Sequence, residues 1–208
     1  MELLVLALAW LAYAGLHSLL AALTVKARIA ARWPRCMPWY RLAYNAIAAV
    51  TALPLAWLAH ATPGDWLWRW TGAWAWLANG LALAACAGFL ASARHYDMDE
   101  FLGLRQLREG TGLPDRPGGF SLSPFHRFVR HPWYGFGLVL VWTRDMNPAL
   151  LLSALAITLY FVVGSRLEER KLIALHGEVY RRYRARVPGL LPLPWKFLRR
   201  AEAEELSR

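Results

Sequence analysis

Cysteine is scarce in this chain. Of 208 residues only Cys36 and Cys86 are cysteines. They share no C-x-x-C or Cys/His spacing, so neither a zinc site nor a disulfide framework is supported, and they read as two free thiols. Charge is scarce as well, at 18%, and acidic residues are the rarer sign, with 14 Asp+Glu against 24 Lys+Arg. So low a charged fraction argues against an ordinary soluble domain. No internal repeat is found, which argues against the commonest secondary-transporter architectures. The net charge of +10 raises nucleic acid as a partner, but the basic residues are not interleaved with stacking aromatics on one domain. They fall between and after apolar runs, as positive-inside loops do. Nucleic acid is therefore not expected as a partner.

What is abundant is apolar: 57% of the residues are hydrophobic and 12 are Trp. The expected fold is all-α and membrane-integral, with about five transmembrane helices, a C-terminal helical hairpin and a cytoplasmic amphipathic tail. The first span covers residues 2–23. It is read as a retained helix, because a cleaved signal peptide would carry a basic start and a shorter apolar core. A basic loop with Lys26, Arg28, Arg32 and Arg35 follows and ends at the turn-prone Pro34 and Pro38. The second span covers 40–60, with Pro54 as a kink. The third covers 66–93, and the tryptophans crowding its start suit an interfacial belt.

The stretch 94–132 is a cytoplasmic loop broken by Pro114, Pro117, Gly118 and Gly119. Two short apolar runs then form a hairpin over 133–165, separated by Thr143-Arg144-Asp145-Met146-Asn147. Its bend lies either near the far side or at membrane depth, with Arg144 and Asp145 paired locally. The tail from 166 to 208 is charged and does not span. Only Arg69 and Arg144 fall on the side opposite the other basic residues. That distribution places the N-terminus outside and the C-terminus in the cytoplasm of a bacterial inner membrane. The whole chain reads as a single domain, with a three-helix N-terminal part over 1–93.

Ionisable groups beside membrane spans are costly unless they serve a purpose. Arg130-His131-Pro132-Trp133-Tyr134 stands at the entry of the hairpin. Pro132 suits the first position of a helix, where it costs no hydrogen bond. The N–H groups of Trp133, Tyr134 and Gly135, flanked by Arg130 and His131, would then form an anion site for a carboxylate or phosphate. In the tail, Glu169, Ile173, His176, Tyr180, Tyr183 and Val187 recur every three or four residues and would line one helical stripe. Glu168 and Glu169 could accept hydrogen bonds from sugar hydroxyls or an ammonium. Glu178 reads instead as a surface partner of Arg182 four residues on. His17-Ser18 reads as a helix-interface pair or a polar site. Tyr96, Asp97, Asp99 and Glu100 read as a solvated loop or a substrate-side acidic cluster.

These motifs, with Glu168-Glu169-Arg170-Lys171-Leu172, His176-Gly177-Glu178-Val179-Tyr180-Arg181-Arg182-Tyr183 and Arg186-Val187-Pro188-Gly189-Leu190-Leu191-Pro192, resemble the C-terminal half of isoprenylcysteine carboxyl methyltransferases. The resemblance covers about residues 125 to 195 in order and separation, and phospholipid N-methyltransferases carry related motifs. It implies an integral-membrane methyltransferase using S-adenosylmethionine. Catalytic roles would then fall to Arg130, His131 and Glu169. Cofactor contacts would come from Arg130, His131, Tyr134, Gly135, Gly137, Glu168, Glu169, His176, Tyr180 and Tyr183. Phe136 stands where that family has glycine, and Gly135 and Gly137 flank it. Residues 13–26, Tyr40-Arg41-Leu42-Ala43-Tyr44-Asn45 and Phe101-Leu102-Gly103-Leu104-Arg105-Gln106 are similar to a bacterial branch. That branch contains small-thiol S-methyltransferases and NnrU-like membrane proteins.

Methyl transfer from a sulfonium needs donor and acceptor aligned and water kept out. The expected assignment gives the donor's carboxylate to Arg130, His131 and the helix start. Its hydroxyls or ammonium go to Glu168 or Glu169, and its adenine to Tyr180 or Tyr183. A thiol acceptor needs a base, which His131 or a loop carboxylate would supply; a carboxylate acceptor needs none. The acceptor is small or lipophilic, with thiol, prenyl-cysteine carboxylate and lipid amine all open. The competing reading is a non-catalytic membrane transport or assembly protein. Expected partners are the acceptor and membrane lipids; no metal is expected.

Overall fold

The computed structural model describes residues 1–62, 64–111 and 120–206. Pro114, Pro117, Gly118 and Gly119 lie outside them. About 77% of the described residues are helical, with no strand among them and only two isolated bridges. Four helices are long and apolar enough to cross a membrane: α1 (Glu2–Ala21), α3 (Met37–Ala61, preceded by a 3-10 turn), α4 (Gly72–Ala93) and α8 (Pro148–Arg186). The other helices are α2 (Leu23–Arg32), α5 (Met98–Leu102), α6 (Leu104–Glu109), α7 (Pro132–Trp142) and α9 (Arg200–Leu206). At 11 residues, α7 is roughly 16 Å long, about half the hydrocarbon thickness. Leu11, Trp57, Trp76 and Leu83 are wide open on the long helices, as expected where lipid is the solvent.

Two compact units make up the chain: Met1–Trp68 with Tyr96–Arg116 and Met146–Ala156, and Arg69–His95 with Pro117–Asp145 and Ile157–Arg208. In the first unit, Leu6, Ala59 and Ala149 form a small core with Trp10 and Leu58 around it. The Trp10 indole donates to Ser153 Oγ at 3.0 Å. His17 contacts the Tyr44 hydroxyl and stacks on Tyr13, a polar lock between α1 and α3. The basic segment expected as a loop is helical, because Leu23–Arg32 consists of helix-tolerant residues with no Gly or Pro before Pro34. Extended backbone at Ala22 divides it from α1. Pro54 lies inside α3, which runs on to Ala61.

The third span begins six residues later than expected, at Gly72. Trp68 is held extended instead, by an antiparallel bridge to Met146 with N–H···O distances of 3.3 and 3.1 Å. The acidic residues near Tyr96 are tied locally. Asp97 caps α5 and pairs with Arg105, and Asp99 pairs with Arg108.

In the second unit α4 and α7 run antiparallel. The Trp133 indole donates to Ser92 Oγ at 2.8 Å near one end, and Arg144 reaches Asn79 at 3.1 Å near the other. Gly88 has no room for a Cβ beneath the Phe136 ring. The α7–α8 hairpin is present, and the Trp142 indole donates across it to Thr158. Its turn corrects one expectation. Arg144 and Asp145 do not pair with each other, because the turn faces the segment before α4. Asp145 takes the Trp70 N–H at 2.9 Å and pairs with Arg69 at 3.6 Å.

The tail continues α8 beyond its apolar part, but not as one straight helix. Gly177 adopts φ 57°, ψ −126° and breaks it, a conformation open to glycine alone at little cost. Glu178 pairs with Arg181 at 3.4 Å rather than with Arg182.

Candidate active site

The site grows from the six residues before α7. Phe128 and Val129 close a 3-10 turn, and the backbone then runs beside the end of the tail. Arg130 N–H donates to the Pro188 carbonyl at 2.9 Å and His131 N–H to the Gly189 carbonyl at 3.0 Å. Pro132 then starts α7, as its missing N–H allows. Gly135 packs directly under the Leu190 carbonyl, where a Cβ would overlap the oxygen. Glycine is required there by close approach of two backbones, and Gly135 is the glycine that meets it. Gly137 instead admits the Phe161 ring from α8.

From α8, Phe161, Ser165, Glu168, Glu169 and Leu172 fall at helical spacing, so two carboxylates arrive beneath the His131 ring. The apolar stretch of α8 ends at Ser165, so both lie beyond the membrane-spanning part. Glu169 is 6% exposed. It accepts from Arg130 Nε at 2.8 Å and from its terminal nitrogen at 2.7 Å, and lies 3.1 Å from His131 Nε2 and 3.7 Å from Arg184 Nε. Glu168 is half exposed, 3.4 Å from His131 Nδ1 and 3.4 Å from the Tyr134 hydroxyl that donates to it. His131, Tyr134 and Phe161 stack face to face, at centroid distances of 5.4 and 4.7 Å. The stack fixes the imidazole plane so that each ring nitrogen faces a different carboxylate.

The electrostatics follow from this packing. Burial opposes the imidazolium of His131, but hydrogen bonds to Glu168 and Glu169 and their charges outweigh it, so its pKa stands above the ordinary value. Burial likewise opposes the Glu169 carboxylate, yet His131 and Arg130 hold its pKa below the usual range. His126 goes the other way: burial first, then the neighbouring His131 charge, push it down to about 4. Its Nδ1 accepts the Ser123 N–H at 3.3 Å, so the neutral ring carries its proton on Nε2.

Arg130, His131, Tyr134, Gly135, Glu168 and Glu169 are thus brought together. Arg130 is heavily committed: besides Glu169 it donates to the carbonyls of Arg184 and Val187. The anion site expected at the helix start is smaller than the motif suggested, since Gly135 N–H already bonds the His131 carbonyl at 3.1 Å.

Three expected contacts lie elsewhere. Tyr180 and Tyr183, each 2% exposed, form a core with Val187, Leu198 and Ala203. They meet each other edge to face, and the Tyr183 hydroxyl donates to the His126 carbonyl at 2.7 Å. No ring face is left open for an adenine, and burial raises the Tyr180 pKa further. His176 sits against the Phe120 ring at 5.3 Å. Gly177 breaks the helix, and beyond it the Tyr180 ring is packed in the core while still feeling the charges of Glu169 and Arg130.

Two residues were not legible beforehand. Arg184 is half exposed beside Glu169 and lines an open depression of about 440 Å³ with Ile173, Arg181 and Ala185. His126 sits four residues before Arg130, and the Ser123-Pro124 start of its 3-10 turn was its only local signal. Among the described residues no group of His, Cys, Asp and Glu is arranged to hold a metal ion.

A protein from Crocosphaera subtropica named methanethiol S-methyltransferase is 30% identical over 193 residues, covering 86% of this chain and 71% of that protein. One of the same name from Mycobacterium tuberculosis is 34% identical over 171 residues, 78% of this chain and 68% of its own length. Methanethiol S-methyltransferase 2 of Bradyrhizobium diazoefficiens is 34% identical over 166 residues, 77% and 63% respectively. The chain belongs to the methanethiol S-methyltransferase family. No protein-family model matches it, and no solved structure matches it significantly.

Proposed function

We propose that this protein is an integral-membrane S-methyltransferase that uses S-adenosylmethionine to methylate a small thiol of the methanethiol type, and that it is a branch of the isoprenylcysteine carboxyl methyltransferase-like enzymes. The observation that carries the proposal is the pair of carboxylates, Glu168 and Glu169, locked to Arg130 and His131 at the start of α7. Kinship with methanethiol S-methyltransferases supports it.

The side chains suit such a donor. It carries a carboxylate, an ammonium and ribose hydroxyls. Arg184, a half-exposed guanidinium, lines the open depression, and Glu168, a half-exposed carboxylate, stands beside His131. When bound, the donor supplies an electrophilic methyl on a sulfonium. Arg130 is a positioning residue, because its donors hold Glu169 and the 184–187 backbone rather than facing outward. Glu168 binds hydroxyl or ammonium through the oxygen not turned to His131.

The thiol acceptor loses its S–H proton as the S–CH3 bond forms and the methyl–sulfonium bond breaks. The half-exposed Glu168 carboxylate, held by the His131 imidazolium at 3.4 Å, would receive that proton and release it to water. A thiol with a free pKa of about 8.5 gains from such a base. The membrane spans give an apolar small thiol a route through the bilayer. In this reading the N-terminus is outside, the C-terminus cytoplasmic, and the membrane is the inner membrane of a bacterium.

The test is transfer of radiolabelled methyl from S-adenosylmethionine in membranes that hold the protein, with label counted in volatile, lipid and protein fractions. Label in the volatile fraction that requires an added thiol, and disappears in Glu168→Ala, supports the proposal. Label in the lipid or protein fraction moves the acceptor to a lipid amine or a carboxylate. Absence of label together with absence of cofactor binding favours a non-catalytic membrane protein.

A further inference from the structure

Residues 190–200 carry an arrangement that the methyl-transfer chemistry does not use. Leu191, Leu193, Trp195 and Phe197 are all exposed, Trp195 at 74%. Pro192 and Pro194 separate the first three, Lys196 lies between Trp195 and Phe197, and Arg199 and Arg200 follow. This segment is not a loose loop. Leu193 and Lys196 bridge across a turn, with the Lys196 N–H on the Leu193 carbonyl at 3.0 Å, which puts Pro194 and Trp195 at the tip. Leu198, 1% exposed, anchors the segment in the Tyr180–Tyr183 core. Its N–H donates to the Arg127 carbonyl at 2.9 Å, and Arg127 Nε returns a bond to the Leu198 carbonyl at 3.0 Å. Phe197 stacks on the exposed Phe128 at 6.1 Å.

The hydrogen bonds of this turn set its height relative to a bilayer. Both of its ends are hydrogen-bonded to residues 127–131, at Arg127 on one side and at Arg130 and His131 on the other. Those residues immediately precede Pro132, where the apolar helix α7 begins. In the same unit the apolar stretches of α4 and α8 end at Ala93 and near Ser165, and the Trp133 indole at the start of α7 is bonded to Ser92. The turn therefore lies at the level where chain passes from hydrocarbon to headgroups. Tryptophan there is amphipathic and favours that zone, and lysine and arginine beside it attract anionic headgroups. An exposed apolar patch rimmed by basic residues is a membrane-facing surface by composition and by height.

We infer that the 190–200 turn is an interfacial anchor. Trp195, Leu193 and Phe197 insert into the headgroup boundary, and Lys196 and Arg199 bind anionic phospholipid headgroups, while Arg200 is paired with Glu204 at 2.9 Å. This anchor clamps the backbone that carries Pro188 and Gly189 against Arg130 and His131.

The test places a nitroxide on Trp195→Cys in a full-length Cys36→Ser, Cys86→Ser background and reconstitutes it into nanodiscs. Accessibility to oxygen and to a water-soluble nickel chelate is compared with a label on Glu205→Cys in α9. The nanodiscs contain phosphatidylcholine alone or mixed with phosphatidylglycerol. The expected result is an oxygen-to-nickel ratio at residue 195 several-fold above that at 205 in the mixed lipid. It should fall several-fold in phosphatidylcholine alone and in a Lys196→Glu, Arg199→Glu variant. A label at 195 as nickel-accessible as at 205 in both lipids overturns the inference. So does a label shielded from both reagents, which would mean burial against protein. An oxygen-favoured label indifferent to lipid charge and to the charge reversal overturns the anionic-headgroup claim.

Discussion

Replacing Glu169 with glutamine removes one charge from the most tightly held group in the protein and keeps its shape. Arg130 and His131 are left with side chains 12% and 5% exposed and no full counter-charge. Removing one partner of a buried ion pair costs about 3–5 kcal/mol, because the remaining charge stays desolvated. Arg184 is half exposed and screened, so it adds little to that figure. On the scale of a chain this size the loss corresponds to a Tm lowered by roughly 10 °C. The double replacement Arg130→Met, Glu169→Leu removes both charges and fills similar volume, but it frees the Arg184 and Val187 carbonyls and leaves His131 without Glu169, so only part of the lost stability should return. Methyl transfer should stay abolished in both variants, because His131 has lost Glu169 in each and is no longer held from both sides. Thermal unfolding of purified protein in nanodiscs, run beside the radiolabel assay, reads both quantities. A Glu169→Gln protein within 1 kcal/mol of wild type, or a double variant less stable than the single one, would refute the reasoning.

Further outcomes follow from individual contacts. Gly135→Ala should misplace α7 against the Leu190 carbonyl and abolish activity with a clear loss of Tm, whereas Gly137→Ala meets only the edge of the Phe161 ring and should be milder. Tyr183→Phe loses one hydrogen bond to the His126 carbonyl and should cost about 1 kcal/mol in unfolding measurements, leaving the KM for the methyl donor unchanged. The pH dependence has two opposing parts. His126, with its folded pKa near 4, favours folding fully above its ordinary pKa and loses about 3 kcal/mol as pH falls from there to about 4. His131 has a raised folded pKa, so its contribution is complete below the ordinary histidine value and is lost as pH rises through the raised one. Tm against pH should therefore fall on both sides of a maximum; His126→Gln should remove the fall between the ordinary histidine pKa and about 4 and leave the loss at lower pH that comes from the depressed Glu169 carboxylate, and an unchanged acid limb contradicts that assignment.

Much of the site was readable because its signals are local. Pro132 can only open a helix, the doubled carboxylates follow an apolar run, and the Arg130-His131 pair stands at the entry of that helix. The remainder depended on tertiary partners with no sequence signal. A tail stripe with helical periodicity predicted Tyr180 and Tyr183 at the ligand, but the positive φ at Gly177 redirects it, and both rings fill a core. Gly177 was visible as a glycine, though its conformation was not, since helix interiors tolerate glycine at modest cost. Arg144 and Asp145 are adjacent and of opposite charge, yet each bonds a residue more than sixty positions away. The basic segment after α1 looked like a loop because charge marks a membrane boundary, while its lack of breakers makes it helical. Arg184 could not be told from the other tail arginines until Glu169 was seen beside it.

The central claim is transfer of a methyl group to a small thiol, and the most direct measurement is the appearance of labelled volatile thioether. Purified protein in nanodiscs would be given methyl-labelled S-adenosylmethionine and methanethiol, with headspace products counted. The account predicts labelled dimethyl sulfide formed in proportion to protein, dependent on added thiol and absent in Glu168→Ala and Glu169→Gln. Donor binding without labelled sulfide, or label transferred only to lipid, would contradict it.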